Sequence, residues 1–208
     1  MMRGMTRTVA VVLSALAWAE PGLAGYDPLA TPSGFQARTL DLTVRDAARS
    51  RDIPVLVYLP EAEGAAPVVL FSHGLGGTRR GSAYLAKHWA ARGYVAVFLQ
   101  HPGSDGSVWR GERLANRMDA MRRAASGRNL LQRARDVPAV LDQLERWSRQ
   151  DGHALAGRMD LQRVGMSGHS FGAVTTQAVS GQAFLGGRAQ LTDRRIGAAI
   201  AFSQSSPR

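Results

Sequence analysis

The residues Gly168-His169-Ser170-Phe171-Gly172 place a serine midway between two glycines, in the pattern Gly-x-Ser-x-Gly. In a nucleophile elbow of this pattern, a sharp turn from a strand into a helix lifts the serine hydroxyl above the sheet. Side chains at 168 or 172 would collide with the neighbouring helix or strand. The pattern alone is weak evidence, because glycine-rich chains match it by chance. Here it follows a predicted buried strand and opens a predicted helix, which favours Ser170 as a nucleophile.

A second glycine-rich stretch, Phe71-Ser72-His73-Gly74-Leu75-Gly76-Gly77, directly follows an apolar run. With glycine at 74 and 76, the chain can turn a backbone N–H toward a developing oxyanion without a steric penalty. We expect the N–H groups of Leu75 and Phe171 to form this oxyanion hole. The alternative is a tight turn with no chemical role, but the stretch precedes the elbow, as this type of site requires.

Three of the five histidines are candidates for the pocket around Ser170. His169 occupies the variable place in the elbow and should pack beside the serine. His73 is expected to shape the oxyanion loop. His101 ends a predicted strand at the same edge of the sheet, where a pocket-lining and a structural role are equally open. The histidines have no close acidic cluster, so no metal site is predicted, and no motif indicates a cofactor.

The elements that must position these residues follow from hydrophobic patterning. Residues 37–45 and 53–59 alternate apolar with polar side chains around a polar stretch at 46–52, which predicts an antiparallel hairpin. Residues 67–71 and 94–99 are unbroken apolar runs, typical of strands covered on both faces. A helical spacing over 82–92 lies between them, so a parallel pair with a right-handed crossover is expected.

The second half of the chain continues this alternation. Residues 102–127 are polar and irregular, with a short helix expected around 113–123. An amphipathic helix is predicted over 130–147, in which Pro138 should cause a kink or mark a restart capped by Asp136. The remaining predicted elements are a strand at 163–166, a helix at 173–181 and a strand at 196–202. Together they indicate an α/β protein with a mostly parallel sheet, an N-terminal antiparallel hairpin and helices on both faces.

The glycine loop, the run Gly93-Tyr94-Val95-Ala96-Val97, the run His101-Pro102-Gly103-Ser104-Asp105 and the elbow together resemble bacterial dienelactone-hydrolase-like proteins and the related platelet-activating-factor acetylhydrolases. The resemblance extends over about residues 53–202 and implies the α/β-hydrolase fold. It implies Ser170 as nucleophile, with the amides of Leu75 and Phe171 as oxyanion donors. True dienelactone hydrolases use a cysteine nucleophile, so serine here favours ordinary hydrolysis of carboxylic esters through an acyl-enzyme.

The catalytic partners of a serine in this fold follow it in the order acid, then histidine. No histidine follows Ser170, and Asp193 is the only later acid. We therefore expect this chain to be the nucleophile half of a longer hydrolase, with too little machinery to turn over esters by itself. A non-catalytic protein that binds a ligand or partner in the same fold is the alternative. A lipase whose mobile lid is formed by residues 102–127 is a third hypothesis.

The N-terminus has the three regions of a secretory signal. Two positive charges in residues 1–7 precede an apolar stretch at 8–18, and small residues at 21–24 predict cleavage after Ala24. The competing interpretations are cleavage at Ala17-Trp18-Ala19 and a buried N-terminal helix. Cleavage after Ala24 implies a secreted or periplasmic protein whose mature domain begins at residue 25, with no stable membrane span after cleavage.

Composition adds constraints on partners. The formal charge is +10, but it comes from arginines scattered between Arg38 and Arg195, so no nucleic-acid surface is predicted. There is no cysteine, and the fold must rest on its core alone. A small-molecule or lipid ester is the expected substrate, and nothing in the sequence indicates an oligomeric state.

Overall fold

Six strands form one mixed sheet in the order β1-β2-β4-β3-β5-β6. The computed structural model describes residues 27, 34–183 and 191–203, and the predicted signal peptide lies outside them. The strands are β1 (Arg38–Asp46), β2 (Arg51–Leu59), β3 (Ala66–Ser72), β4 (Val95–Leu99), β5 (Met159–His169) and β6 (Ile196–Phe202).

The pairing confirms the predicted hairpin and the predicted parallel strands. β1 and β2 are antiparallel over their whole length, and β2 also runs antiparallel to β4. The pairs β3–β4, β3–β5 and β5–β6 are parallel. β5 is longer than expected, because its first half is extended although it carries exposed polar residues that break the apolar run.

Helices cover both faces of the sheet, as predicted. They are α1 (Ala83–Ala91), α2 (Ser107–Arg110), α3 (Arg117–Ala124), α4 (Gly127–Arg149) and α5 (Phe171–Val179), with a 3-10 turn at Leu114–Asn116. Alternate residues of the strands point to opposite faces, so the sheet supports two apolar cores. α4 and α5 contribute to the larger core, whereas α1 contributes to the smaller one. None of the helices in the described part of the chain is long and apolar enough to cross a bilayer.

Helix α4 passes without a break through Pro138, which corrects the predicted restart at Asp136. A proline inside a helix costs about 3 kcal/mol. The buried residues Ala134, Val137, Val140, Leu141 and Leu144, on both sides of Pro138, pack into one core. Burying a single large aliphatic side chain contributes about 1.5–3 kcal/mol, so this packing outweighs the lost hydrogen bond. Asp136 does not cap a helix and is fully buried.

Strand β3 is the point at which the connections of the sheet change direction. The chain leaves β3 for β4 on one side, and β5 lies on the other side. In open α/β sheets, ligands bind in the crevice outside the carboxyl ends of the strands at such a point. The loop after β3 and the turn after β5 both begin there, and these are the two segments that carry the predicted chemistry.

Strand β6 lies at the edge of the sheet. Within the described residues it pairs only with β5, and none of its seven residues is buried. Ile200 is 55% exposed and Phe202 is 38% exposed. β6 therefore presents an apolar face and an unpaired backbone edge, a combination that favours pairing with further polypeptide.

Candidate active site

Ser170 occupies the sharp turn between β5 and α5, with φ 54° and ψ −116°. A non-glycine residue is strained in this region, and such strain persists only where the surroundings hold it. Ser170 donates its backbone N–H to Phe202 O at 3.0 Å, and its carbonyl accepts from Ala173 N at 2.8 Å. The serine is exposed at the carboxyl edge of the sheet. The backbone is thus that of a nucleophile elbow.

The two glycines of the motif are required by close backbone contacts. A Cβ on Gly168 would lie 2.2 Å from Gly172 O, in the first turn of α5. A Cβ on Gly172 would lie 1.9 Å from Ser72 O, at the end of β3. Both distances are far below any real contact of a Cβ atom, so only glycine lets strand and helix approach this closely.

The glycine loop after β3 lies against the elbow. A Cβ on Gly74 would stand 3.5 Å from the Cβ of Ser170 and 3.3 Å from Nδ1 of His169, which is exposed. In the described part of the chain, the N–H groups of Leu75 and Phe171 donate to no protein acceptor. An oxyanion hole needs free N–H donors of this kind; Phe171 directly follows Ser170, and Leu75 follows the Gly74 that lies against it.

Backbone hydrogen bonds fix the course of this loop. Gly77 N donates to Gly74 O at 3.0 Å, and Gly76 N donates to Ser104 O at 2.9 Å. Gly76 has φ 71°, and its carbonyl accepts from the indole Nε1 of Trp109 at 2.9 Å. A Cβ at 76 would lie 2.7 Å from the terminal methyl group of Met121. The segment that carries α2 and α3 therefore covers the loop, and the positive φ at 76 favours glycine there.

Burial places two of the candidate histidines inside the protein instead of along an open pocket. His101 is 0% exposed and His73 is 3% exposed. Nε2 of His73 accepts from the His101 backbone N–H at 3.1 Å, so Nδ1 carries the proton and donates to Gly74 O at 2.6 Å. His73 thereby shapes the loop, as expected, whereas the pocket-lining interpretation of His101 is wrong.

The side chains of Ser72, His101 and Asp136 form a chain with the spacing of a catalytic triad. Ser72 Oγ lies 3.0 Å from His101 Nε2, and His101 Nδ1 lies 2.9 Å from Asp136 Oδ2. All three residues are 0% exposed, so no substrate can reach the hydroxyl. The arrangement is a buried hydrogen-bonded network, in which the Ser72 hydroxyl donates to His101 and His101 donates to Asp136.

Asp136 is ionised within this network and is paired with arginines. Arg51 contacts both its oxygens, at 2.7 and 2.9 Å, and Arg49 lies 2.9 Å from Oδ1. Burial alone would raise the pKa of Asp136, but the hydrogen bonds from His101 and Arg51 lower it below its ordinary value. Burial, with Arg133 nearby, lowers the pKa of His101 to about 4 despite the bond to Asp136. His101 is therefore neutral at neutral pH.

Arg133 lies in the same buried region and is in contact with both chemically important segments. Its Nη2 donates to Ser72 Oγ at 3.0 Å and also to His73 O. Its guanidinium carbon lies 4.8 Å from the centre of the Phe171 ring. Burial lowers the pKa of Arg133 to about 9, so the group still carries its charge at neutral pH.

Sequence reasoning did not identify Arg133 or Asp136 as part of the site, although the pattern of α4 contains the signal. Both residues fall on the face of the helix that carries Val137 and Val140. A charged residue on an apolar stripe must find partners inside the protein, because a buried unpaired charge is very costly. That pattern predicts a buried polar network, but not which residues of other segments complete it.

Ser170 is not hydrogen-bonded to a general base within the described residues. No hydrogen bond joins the Ser170 side chain to a histidine or a carboxylate within that part of the chain. Asp193, the only acid after Ser170, donates its N–H to Val179 O and its carboxylate is bound by Arg195. Asp193 therefore belongs to a partly buried ion pair with Arg195, beyond the far end of α5.

No protein-family model matches the sequence, and no curated protein does. Solved structures match it. A ferulic acid esterase from Streptomyces cinnamoneus is 22% identical with a TM-score of 0.52, and the match covers 88% of this chain and 65% of that one. A provisionally assigned dienelactone hydrolase from Klebsiella pneumoniae subsp. pneumoniae is 15% identical with a TM-score of 0.59, covering 82% and 61%. A provisionally assigned dipeptidyl aminopeptidase IV from Bacteroides ovatus is 18% identical with a TM-score of 0.50, covering 71% and 20%.

The chain has the α/β-hydrolase fold, as the sequence resemblance predicted. It spans less than two thirds of the length of the first two structures. At these identities the likenesses show the fold alone. They do not indicate a substrate, because one scaffold of this kind hosts esterases, peptidases and other enzymes.

Proposed function

We propose that the protein to which this chain belongs is a serine hydrolase of carboxylic esters, with Ser170 as its nucleophile. The observation that carries the proposal is the strained backbone of Ser170, at φ 54°, directly beside the loop of Gly74. A non-glycine residue keeps such a positive φ only where the surrounding fold holds it there. Here the strained turn places an exposed hydroxyl at the switch point of the sheet.

In the proposed reaction, Ser170 Oγ attacks the ester carbonyl and a base takes the hydroxyl proton. The carbonyl oxygen becomes an oxyanion, which the N–H groups of Leu75 and Phe171 stabilise. The N-terminus of α5 begins at Phe171, and its dipole also favours negative charge there. As the intermediate collapses, the C–O bond breaks, the base returns its proton to the leaving oxygen, and the alcohol departs, which leaves an acyl group on Ser170. Water then hydrolyses this acyl-enzyme.

The general base and its acid follow the serine in proteins of this fold, in the order acid and then histidine. The proposal therefore concerns the protein expressed from its complete reading frame. In the 208-residue chain, Ser170 has no base among the described residues, so its turnover of esters should be close to background. A signal peptide in residues 1–24 would direct the protein to the periplasm or the exterior.

Hydrolysis of p-nitrophenyl acetate tests the proposal. The protein from the complete reading frame should release nitrophenol with a burst of acyl-enzyme, visible as an added acetyl mass on the peptide that contains Ser170. Ser170→Ala should remove the burst and lower kcat by on the order of 10⁶-fold, to background. Ser180→Ala is the matched control, because Ser180 is an exposed serine at the other end of α5.

Two outcomes would contradict the proposal. Activity that survives Ser170→Ala would show that another group is the nucleophile. A folded protein that binds esters or their acids without any Ser170-dependent turnover would favour the non-catalytic alternative.

A further inference from the structure

Among the residues that the structure describes, Arg133 has the largest fully buried side chain, and no carboxylate there is hydrogen-bonded to its guanidinium. Its partners are all neutral oxygens on other segments of the chain. Nε donates to Thr175 Oγ1 at 3.0 Å, Nη1 to Ser104 Oγ at 2.9 Å, and Nη2 to Ser72 Oγ at 3.0 Å and to His73 O. Burying an arginine is costly, so the four hydrogen bonds of its planar fork must hold these segments in a defined arrangement.

On one side, these contacts reach the loop of Leu75. The carbonyl that accepts from Arg133 belongs to His73, two residues before Leu75. The hydroxyl that accepts from Nη1 belongs to Ser104, whose own carbonyl receives the N–H of Gly76, the residue after Leu75. The peptide group of Leu75 is therefore held on both sides by atoms that Arg133 fixes.

On the other side, the contacts reach the first turn of α5. Thr175 Oγ1 accepts from Arg133 and donates to Phe171 O at 3.1 Å. The guanidinium also stacks near the ring of Phe171, 4.8 Å from its centre. The Arg133 side chain therefore contacts the segments of both proposed oxyanion donors, although Leu75 follows β3 and Phe171 follows β5.

We propose that Arg133 is a positioning residue that sets the separation of the Leu75 and Phe171 N–H groups. This inference rests on the proposed function for its catalytic consequence, but the structural link it describes can be measured without activity. The fork geometry is what matters, because a lysine keeps the charge but offers a single ammonium group that cannot reach four acceptors on three segments. Arg133→Lys therefore separates geometry from charge.

Hydrogen–deuterium exchange of the 208-residue chain tests the link. Arg133→Lys should speed exchange in peptides covering residues 72–77 and 171–176 by at least about 10-fold, with little change in β1 and β2. Arg135→Lys is the matched control, since Arg135 is an exposed arginine two residues away on α4. Thr175→Val, which removes one acceptor and keeps the side-chain shape, should loosen residues 171–176 and remains informative if Arg133→Lys unfolds. Unchanged exchange in both segments for either folded variant would overturn the proposal.

The catalytic consequence is measured in the protein from the complete reading frame. Arg133→Lys should lower kcat for p-nitrophenyl acetate by about 10- to 100-fold, up to the loss expected for one oxyanion donor, with KM changed by less than about 2-fold. The affinity for phenylboronic acid, which forms a tetrahedral adduct on serine, should fall by the same factor, while Arg135→Lys changes neither. A purely structural role would lower the amount of folded enzyme and leave kcat per folded molecule unchanged, and that result would refute positioning. Should Ser170→Ala leave activity intact, the proposed function fails, but the exchange result still decides the link.

Discussion

Replacing Gly172 by alanine is the most direct test of how the elbow is built. The added Cβ would lie 1.9 Å from Ser72 O and 2.6 Å from Ser72 C, whereas ordinary contact begins at 3.4 Å. Helix α5 must therefore move away from the end of β3 by roughly 1.5 Å. The obstructing atoms are backbone atoms of a central strand, so they cannot rotate aside as a flexible side chain would. Overpacking of this kind costs about 1–3 kcal/mol and occasionally more.

We expect the larger value, about 3 kcal/mol, because both colliding groups belong to regular elements. For a domain of this size each kcal/mol lowers Tm by about 2–4 °C, so Gly172→Ala should melt about 6–12 °C below the unmodified chain. Thermal unfolding followed by circular dichroism on the 208-residue chain measures this shift. In the active protein the displaced Phe171 N–H should also lower kcat, since a 1 Å misplacement can cost about 100-fold.

Gly165→Ala is the control for Gly172→Ala. Gly165 also belongs to the strand–elbow segment, but a Cβ there would have its nearest neighbour, Ala198 O, at 3.8 Å. Both substitutions reduce the entropy of the unfolded chain equally, so their difference isolates the collision in the folded state. Melting temperatures within about 1 °C of each other for the two variants would refute the steric account of the elbow.

Two further predictions concern the buried network. Acidification from pH 6.5 toward 4 should destabilise the protein, because burial lowers the folded-state pKa of His101 to about 4 and that of His73 to about 2, whereas both histidines of the unfolded chain take up a proton near pH 6.5. His101 alone accounts for a loss of about 3 kcal/mol and His73 adds to it, so a free energy of unfolding in urea that stays constant across this window would contradict the prediction. Asp136→Asn should lower the free energy of unfolding by about 3–5 kcal/mol, because it leaves Arg51 facing a neutral amide in a buried site. Asp119→Asn is the control: its carboxylate is 63% exposed, so the loss should be less than about 1 kcal/mol. Equal losses in urea titrations would show that Asp136 is not an essential partner.

The sequence predicted the elements whose burial is complete or regularly alternating. The runs that became β3 and β4 are apolar throughout, and the final strand, β6, was predicted with its observed bounds. β5 was predicted too short, because the apolar signal begins only at Val164 while the chain is already extended from Met159. The early part of β5 pairs with Ala66 and Pro67 across a register shift, which is a tertiary contact that no local pattern shows.

The candidate site divides in the same way. The elbow and the glycine loop are local motifs, defined by a few neighbouring residues, so the sequence alone was enough to propose them. The network of Ser72, His101, Arg133 and Asp136 was missed because its members lie on different strands and helices. Ser72 and Arg133 are separated by 61 positions in the chain. Only the fold brings such residues together, although the charges on the apolar stripe of α4 showed that a buried partner was needed.

The local motifs and the buried network affect different properties of the proposed reaction. The local motifs determine which atoms are available: the hydroxyl of Ser170, whose backbone is strained, and two free N–H groups. Their separation is not local, because Leu75 follows β3 and Phe171 follows β5, and adjacent strands fix only the strand ends. A loop and a helix terminus can shift by an ångström at little cost, yet an oxyanion contact tolerates far less. A rigid fork inserted between the two segments from α4 removes that freedom. Under the two proposals, the cost of burying the Arg133 charge is explained by the separation of the donors that it maintains, and not by a contribution to stability that an apolar side chain could supply at least as well.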